Sequence, residues 1–147
     1  MDHFIQKLHT ITGCVVLLLL TLAVVNALLG FTGKKEFTSK DRKFGLFALI
    51  FTHIQFVVGL ILYFTSPLGK AVLGEMKNAD LRLTSMEHPL INIIAIVLIT
   101  IGWSKHKRLT DSASKFKTFL IFYGLGLLLI LSRIPWKLLV QYLNEIL

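Results

Sequence analysis

Four long runs without a single Asp, Glu, Lys or Arg dominate this chain: residues 8–33, 44–69, 88–104 and 118–132. A helix crosses the hydrocarbon of a bilayer with about 20 residues at about 1.5 Å each. The first two runs are long enough as they stand. The third extends backwards to Thr84 or Ser85, either of which can cap it. The fourth recruits Phe116 and Lys117 at one end and residues 133–136 at the other, where long cationic side chains can reach the interface. Only 16% of the 147 residues are charged, against about a quarter in soluble domains, and the mean hydropathy is +0.72. An ordinary water-soluble domain and a disordered chain are both excluded. The expected fold is an all-α membrane protein: one four-transmembrane-helix bundle over residues 1–147, with spans at about 8–30, 44–65, 85–104 and 117–135 and short interfacial helices.

The net charge of +8 in a soluble protein would suggest nucleic acid. Here the basic residues fall between apolar runs, where they set orientation, so nucleic acid is not an expected partner. The first connection (Lys34, Lys35, Lys40, Arg42, Lys43) and the third (Lys105, Lys107, Arg108, Lys115, Lys117) hold ten of them. The opposite side holds six: Lys7, Lys70, Lys77, Arg82, Arg133 and Lys137. Connections one and three are therefore expected in the cytoplasm and both termini outside, which in a bacterial inner membrane is the periplasm. The first run is longer than the apolar core of a signal peptide and no small-x-small cleavage site precedes Lys34, so it is read as a helix. Residues 68–83 and 137–147 mix apolar and charged positions at helical spacing. Each can lie on the outer face, and the second can equally extend a spanning helix. The one cysteine, Cys14, lies in an apolar run, so there is no disulfide framework and no CxxCH for covalent haem.

Five histidines in so apolar a chain sort by depth. His3 at the terminus and His106 in the basic run SKHKR are read as solvated. His9 opens the first span, His53 lies near the middle of the second, and His88 lies in the first turns of the third. An ionisable side chain inside a membrane faces protein, cofactor or water rather than lipid. His53 is about 2 Å from its helix midpoint and sits in the polar patch FTHIQ. Its alternatives are a ligand role or a hydrogen bond to a neighbour such as Asn92 or a backbone carbonyl. His9 and His88 lie on the same membrane side, about 15 Å and about 12 Å from their span centres, and can meet if their helices are adjacent. Neutral imidazole is the usual axial ligand of a non-covalent haem. His53 remains an alternative axial partner if tilt or a kink closes the gap in depth. Arg133 and Arg82 stand on the same side and can pair haem propionates or face headgroups. Glu87 can orient an imidazole or favour a helix start. Gly13, Gly45 and Gly59 allow close approach, and Trp103 and Trp136 fall where an aromatic belt belongs.

The LH at the first helix start, FTHIQ, the EH before the third helix and IPW after the fourth together resemble small four-helix bacterial membrane proteins labelled "cytochrome B". These are loosely similar to the cytochrome b561 group. The resemblance runs from His9 to Trp136. It implies haem b held by two of His9, His53 and His88, and electron transfer linked to quinol and a redox partner protein. The fourth helix carries no histidine, unlike a two-haem cytochrome b561. Two other readings stay open: a haem-processing enzyme resembling the four-helix protoporphyrinogen oxidases, and a haem-free accessory subunit. Lipid bilayer is the expected surroundings of all three, either as a homo-oligomer or within a larger complex.

Overall fold

The computed structural model describes residues 2–147, and these residues form helices and turns without a strand. Helix α1 covers Asp2–Thr32, α2 Ser39–Thr65, α3 Ala79–His106, α4 Ser112–Ser132 and α5 Trp136–Ile146. The first four are long and apolar enough to cross a membrane. The chain is thus an all-α, four-helix bundle with a fifth, shorter amphipathic helix.

Each helix begins earlier than the expected span, at Asp2, Ser39, Ala79 and Ser112 instead of 8, 44, 85 and 117, and α4 ends at Ser132 instead of 135. The third span begins at Ala79 instead of 85, because Asn78 caps it: its Oδ1 accepts from the backbone N–H of Asp80 and Leu81, both at 3.1 Å. Thr84 and Ser85 instead lie inside a wide π turn, Leu83–Glu87. Residues 79–83 therefore belong to the spanning helix and not to a surface segment, while Lys70–Val72 forms a short 3-10 turn. The C-terminal segment is a separate helix after Pro135, not a continuation of α4.

Helix α1 packs on α2 and α4, α3 packs on α4, and α2 meets α3 less closely, so α1 and α3 stand on a diagonal. The packed core lies near the end of the bundle that carries the α1–α2 and α3–α4 connections. Leu20, Ala23 and Ala27 of α1 and Ala48 of α2 meet Ile99, Trp103, Phe116, Phe119 and Tyr123. Small residues at three- and four-residue spacing let these helices approach. At Gly45 any Cβ would fall within 3 Å of the Phe119 ring, so the aromatic fills the place of a side chain. Tyr123, fully buried, donates its O–H to the Gly45 carbonyl at 2.8 Å.

Two connection-end residues differ from expectation. His106 is only 2% exposed, packed against Phe37, Trp103 and Phe119. Its sequence neighbours are basic, but position 106 falls on the same inward stripe as Ile99, Gly102 and Trp103. Trp103 is likewise a core residue, beneath the Arg42 guanidinium, and does not join an interfacial belt. Trp136 is half-exposed.

Candidate functional site

The opposite end of the bundle, which carries both termini, is hollow where the first is solid. Its geometry starts from the local sequence Glu87-His88-Pro89. Proline has no N–H, and its ring crowds the carbonyl four residues before it, here that of Ser85. The wide turn over Leu83–Glu87 relieves this crowding, with the His88 N–H reaching back five residues to the Leu83 carbonyl. His88 is thereby presented to the bundle interior.

Its ring meets the far end of α4. There the chain reads Arg133-Ile134-Pro135, and a residue before proline is pushed out of the helical region. Helix α4 stops, Arg133 donates its own N–H to the Ile130 carbonyl, and its carbonyl is left without a helical partner. That carbonyl lies 2.9 Å from His88 Nδ1. A carbonyl only accepts, so Nδ1 carries the proton and Nε2 keeps its lone pair. The Asn92 amide stands 3.2 Å from the same nitrogen, farther than the Arg133 carbonyl, and donates one of its two N–H groups to the His88 backbone carbonyl at 2.6 Å.

His9 is held from α2. Gln55 Nε2 donates to the His9 carbonyl at 2.9 Å, and the Thr12 hydroxyl, 2.7 Å from the Leu8 carbonyl, also meets Gln55 Oε1. The ring lies over Gly59, where a Cβ would stand 3.0 Å from His9 Cε1. His9 Nδ1 is buried and has no hydrogen-bond partner. The two imidazoles approach across the diagonal, ring centroids 6.3 Å apart and planes at 87°. Adjacent helices are not needed, because both rings point into the space between them.

That space is a cavity of about 480 Å³, mostly apolar, lined by His9, His88, Gln55 and Asn92. Helix α5 contributes Leu138, Leu139 and Tyr142 to its wall. Burial, and then the nearby Glu145 carboxylate, push the Tyr142 phenol above its ordinary pKa. Beside the cavity, Glu87 accepts from Arg82 Nε at 2.8 Å and faces Arg133 Nε at 3.5 Å, while Arg82 also donates to the Met76 carbonyl at 2.8 Å. Both arginines therefore stand at this end, but each is engaged by Glu87. Glu87 does not orient His88 directly.

His53 stands apart from the pair. It is exposed on α2, with Nδ1 2.7 Å from the Leu49 carbonyl and Nε2 3.3 Å from the Thr100 hydroxyl. Thr100 is twelve residues beyond His88 on α3, about 18 Å along the axis. His53 is deep enough to matter, but it sits on the outer face, and it is Thr52 and Gln55 of the same patch that turn inward. Gln55 was legible as a polar residue at depth, yet its role in holding His9 was not. Pro89 was the one sequence signal for the wide turn.

Among the described residues no group of three or more His, Cys, Asp or Glu is arranged to hold a metal ion. Two imidazoles make a poor site for a bare ion, but a metalloporphyrin brings four donors of its own and needs only axial ligands. Two imidazoles on one metal, with bonds of about 2.0 Å and a further ~1.1 Å to each ring centre, hold their centroids about 6 Å apart. The His9–His88 separation, the free Nε2 of His88, the orphaned Nδ1 of His9 and the cavity volume all fit such a group. The chain matches no protein-family model, no curated protein and no solved structure.

Proposed function

We propose that this chain is a b-type haem-binding membrane protein, in which His9 and His88 would hold the haem, working in electron transfer linked to the quinol pool. The observation that carries this reading is the diagonal imidazole pair at 6.3 Å beside a mostly apolar cavity. Haem, when bound, supplies one-electron redox chemistry. The chain's own residues do the rest. The Arg133 carbonyl fixes the His88 tautomer and raises its basicity, as outer-shell acceptors do for ligating histidines. Gln55 holds the backbone of His9, and the cavity walls are mostly apolar. Arg133 and Arg82, at the same end of the bundle as the imidazoles, would pair the propionates, with Glu87 offsetting one of their two charges. In this reading both termini face the periplasm of a bacterial inner membrane and the ten basic residues of the two connections face the cytoplasm.

The test is the absorption spectrum of the full chain purified after expression with ample haem. The expected result is a reduced-minus-oxidised spectrum of low-spin haem b that is lost in His9→Ala and His88→Ala and kept in His53→Ala. A colourless protein, or a spectrum indifferent to His88→Ala, overturns the reading.

A further inference from the structure

The cluster of Glu87 with two arginines is more than a surface ion network, because one of its members is also the backbone partner of His88. Arg133 meets Glu87 through its side chain and His88 through its carbonyl. Its residue ends a helix, at φ −131° and ψ 22°, and no helical N–H claims the carbonyl. Proline at 135 explains why that carbonyl is free; it does not explain why it points at His88. The guanidinium is the other attachment: it donates to the Ser132 carbonyl at 2.8 Å and faces the Glu87 carboxylate at 3.5 Å. Glu87 immediately precedes His88, so a carboxylate on α3 that grips the Arg133 side chain brings the Arg133 backbone to the imidazole one residue on. Arg82, bonded to Glu87 at 2.8 Å and to the Met76 carbonyl at 2.8 Å, fixes the carboxylate from the other side.

We propose that Glu87 is a positioning residue for His88: through the Arg133 side chain it holds the Arg133 carbonyl against His88 Nδ1, keeping the proton there and leaving the Nε2 lone pair free for a ligand in the cavity. This deepens the proposed haem site, since a ligating imidazole needs its other nitrogen engaged. It concerns the chain's own residues and can be read without haem.

The experiment is ¹⁵N NMR of the histidine rings in the full, haem-free chain, labelled at histidine and reconstituted in lipid, with His88 assigned by the His88→Ala variant. In the wild type the His88 ring is expected with a protonated Nδ1 and an unprotonated Nε2. Glu87→Ala is expected to shift the tautomer ratio toward Nε2–H by about tenfold, the effect of weakening one hydrogen bond. Arg133→Ala is expected to do the same, and the double variant to add little. Glu87→Gln, which keeps size and an acceptor, is expected to fall between, and serves should the alanine variant fail to fold. An unchanged His88 tautomer in folded Glu87→Gln and Arg133→Ala overturns the proposal, as does a wild-type ring protonated at Nε2. A colourless protein with the expected tautomer shifts sinks the haem reading and leaves this one standing. A haem spectrum without tautomer shifts does the reverse.

Discussion

Replacing Gln55 by Leu tests how the first two helices are joined at the site. Gln55 provides two polar contacts between α1 and α2, to the His9 carbonyl at 2.9 Å and to the Thr12 hydroxyl. Neither partner is stranded by the change. Thr12 keeps the Leu8 carbonyl at 2.7 Å, and the His9 carbonyl, inside α1, keeps its helical acceptor role. Leu is close to Gln in volume, so no cavity penalty is added. Side-chain hydrogen bonds within membranes average about 0.6 kcal/mol and reach about 1.7. Two of them amount to about 1–2 kcal/mol, well below the cost of leaving both partners bare in hydrocarbon. Unfolding by SDS titration in lipid micelles, followed by far-UV circular dichroism, measures the loss. A cycle with Thr12→Val isolates the Thr12–Gln55 contact, expected at roughly 0.6 kcal/mol. A loss above about 4 kcal/mol would show that these groups have no other partners, and zero loss with zero coupling would show that the contacts carry nothing. Either result refutes the reasoning.

Two further outcomes are expected. Lys34, just past α1, has φ of 50°, a left-handed conformation costing an L-residue about 1–2 kcal/mol; Lys34→Gly should therefore stabilise by about 0.5–1 kcal/mol in the same titration, after glycine's extra freedom in the unfolded chain is offset. The phenol of Tyr142 is raised above its ordinary value, so its neutral form is the one that favours docking of α5. That contribution is fully present below the unfolded tyrosine pKa of about 10 and is lost as pH rises through the higher folded value. The protection of α5 amides, with the base-catalysed rise of intrinsic exchange divided out, should fall across that interval in the wild type and not in Tyr142→Phe.

Much of the architecture is legible because it follows from length and charge. Four charge-free runs become four helices, and the apolar walls of the bundle need no further explanation. The meeting of His9 and His88 is legible from depth alone, since similar distances from the span centres, on the same membrane side, place both rings at one end. What depth does not give is direction around the helix. His53 is the deepest histidine, yet Thr52, Gln55 and Gly59 recur at three- and four-residue spacing and mark a different face as inward. His106 shows the same thing in reverse, since a basic neighbourhood describes the loop and not the stripe that ends with Ile99, Gly102 and Trp103. The Arg133 carbonyl was beyond sequence reasoning, because a backbone acceptor has no letter. Only the IPW tripeptide hints that a helix end there leaves one free.

The bond from His88 to that carbonyl also fixes an order of events. The ribosome delivers His9 first, His88 only with the third helix, and Arg133 after the fourth. A nascent chain stopped after α3 would hold both imidazoles with the tautomer of one still unset. That contact thus forms only when the fourth helix has reached the third, so the last spanning segment completes the polar arrangement at this end of the bundle.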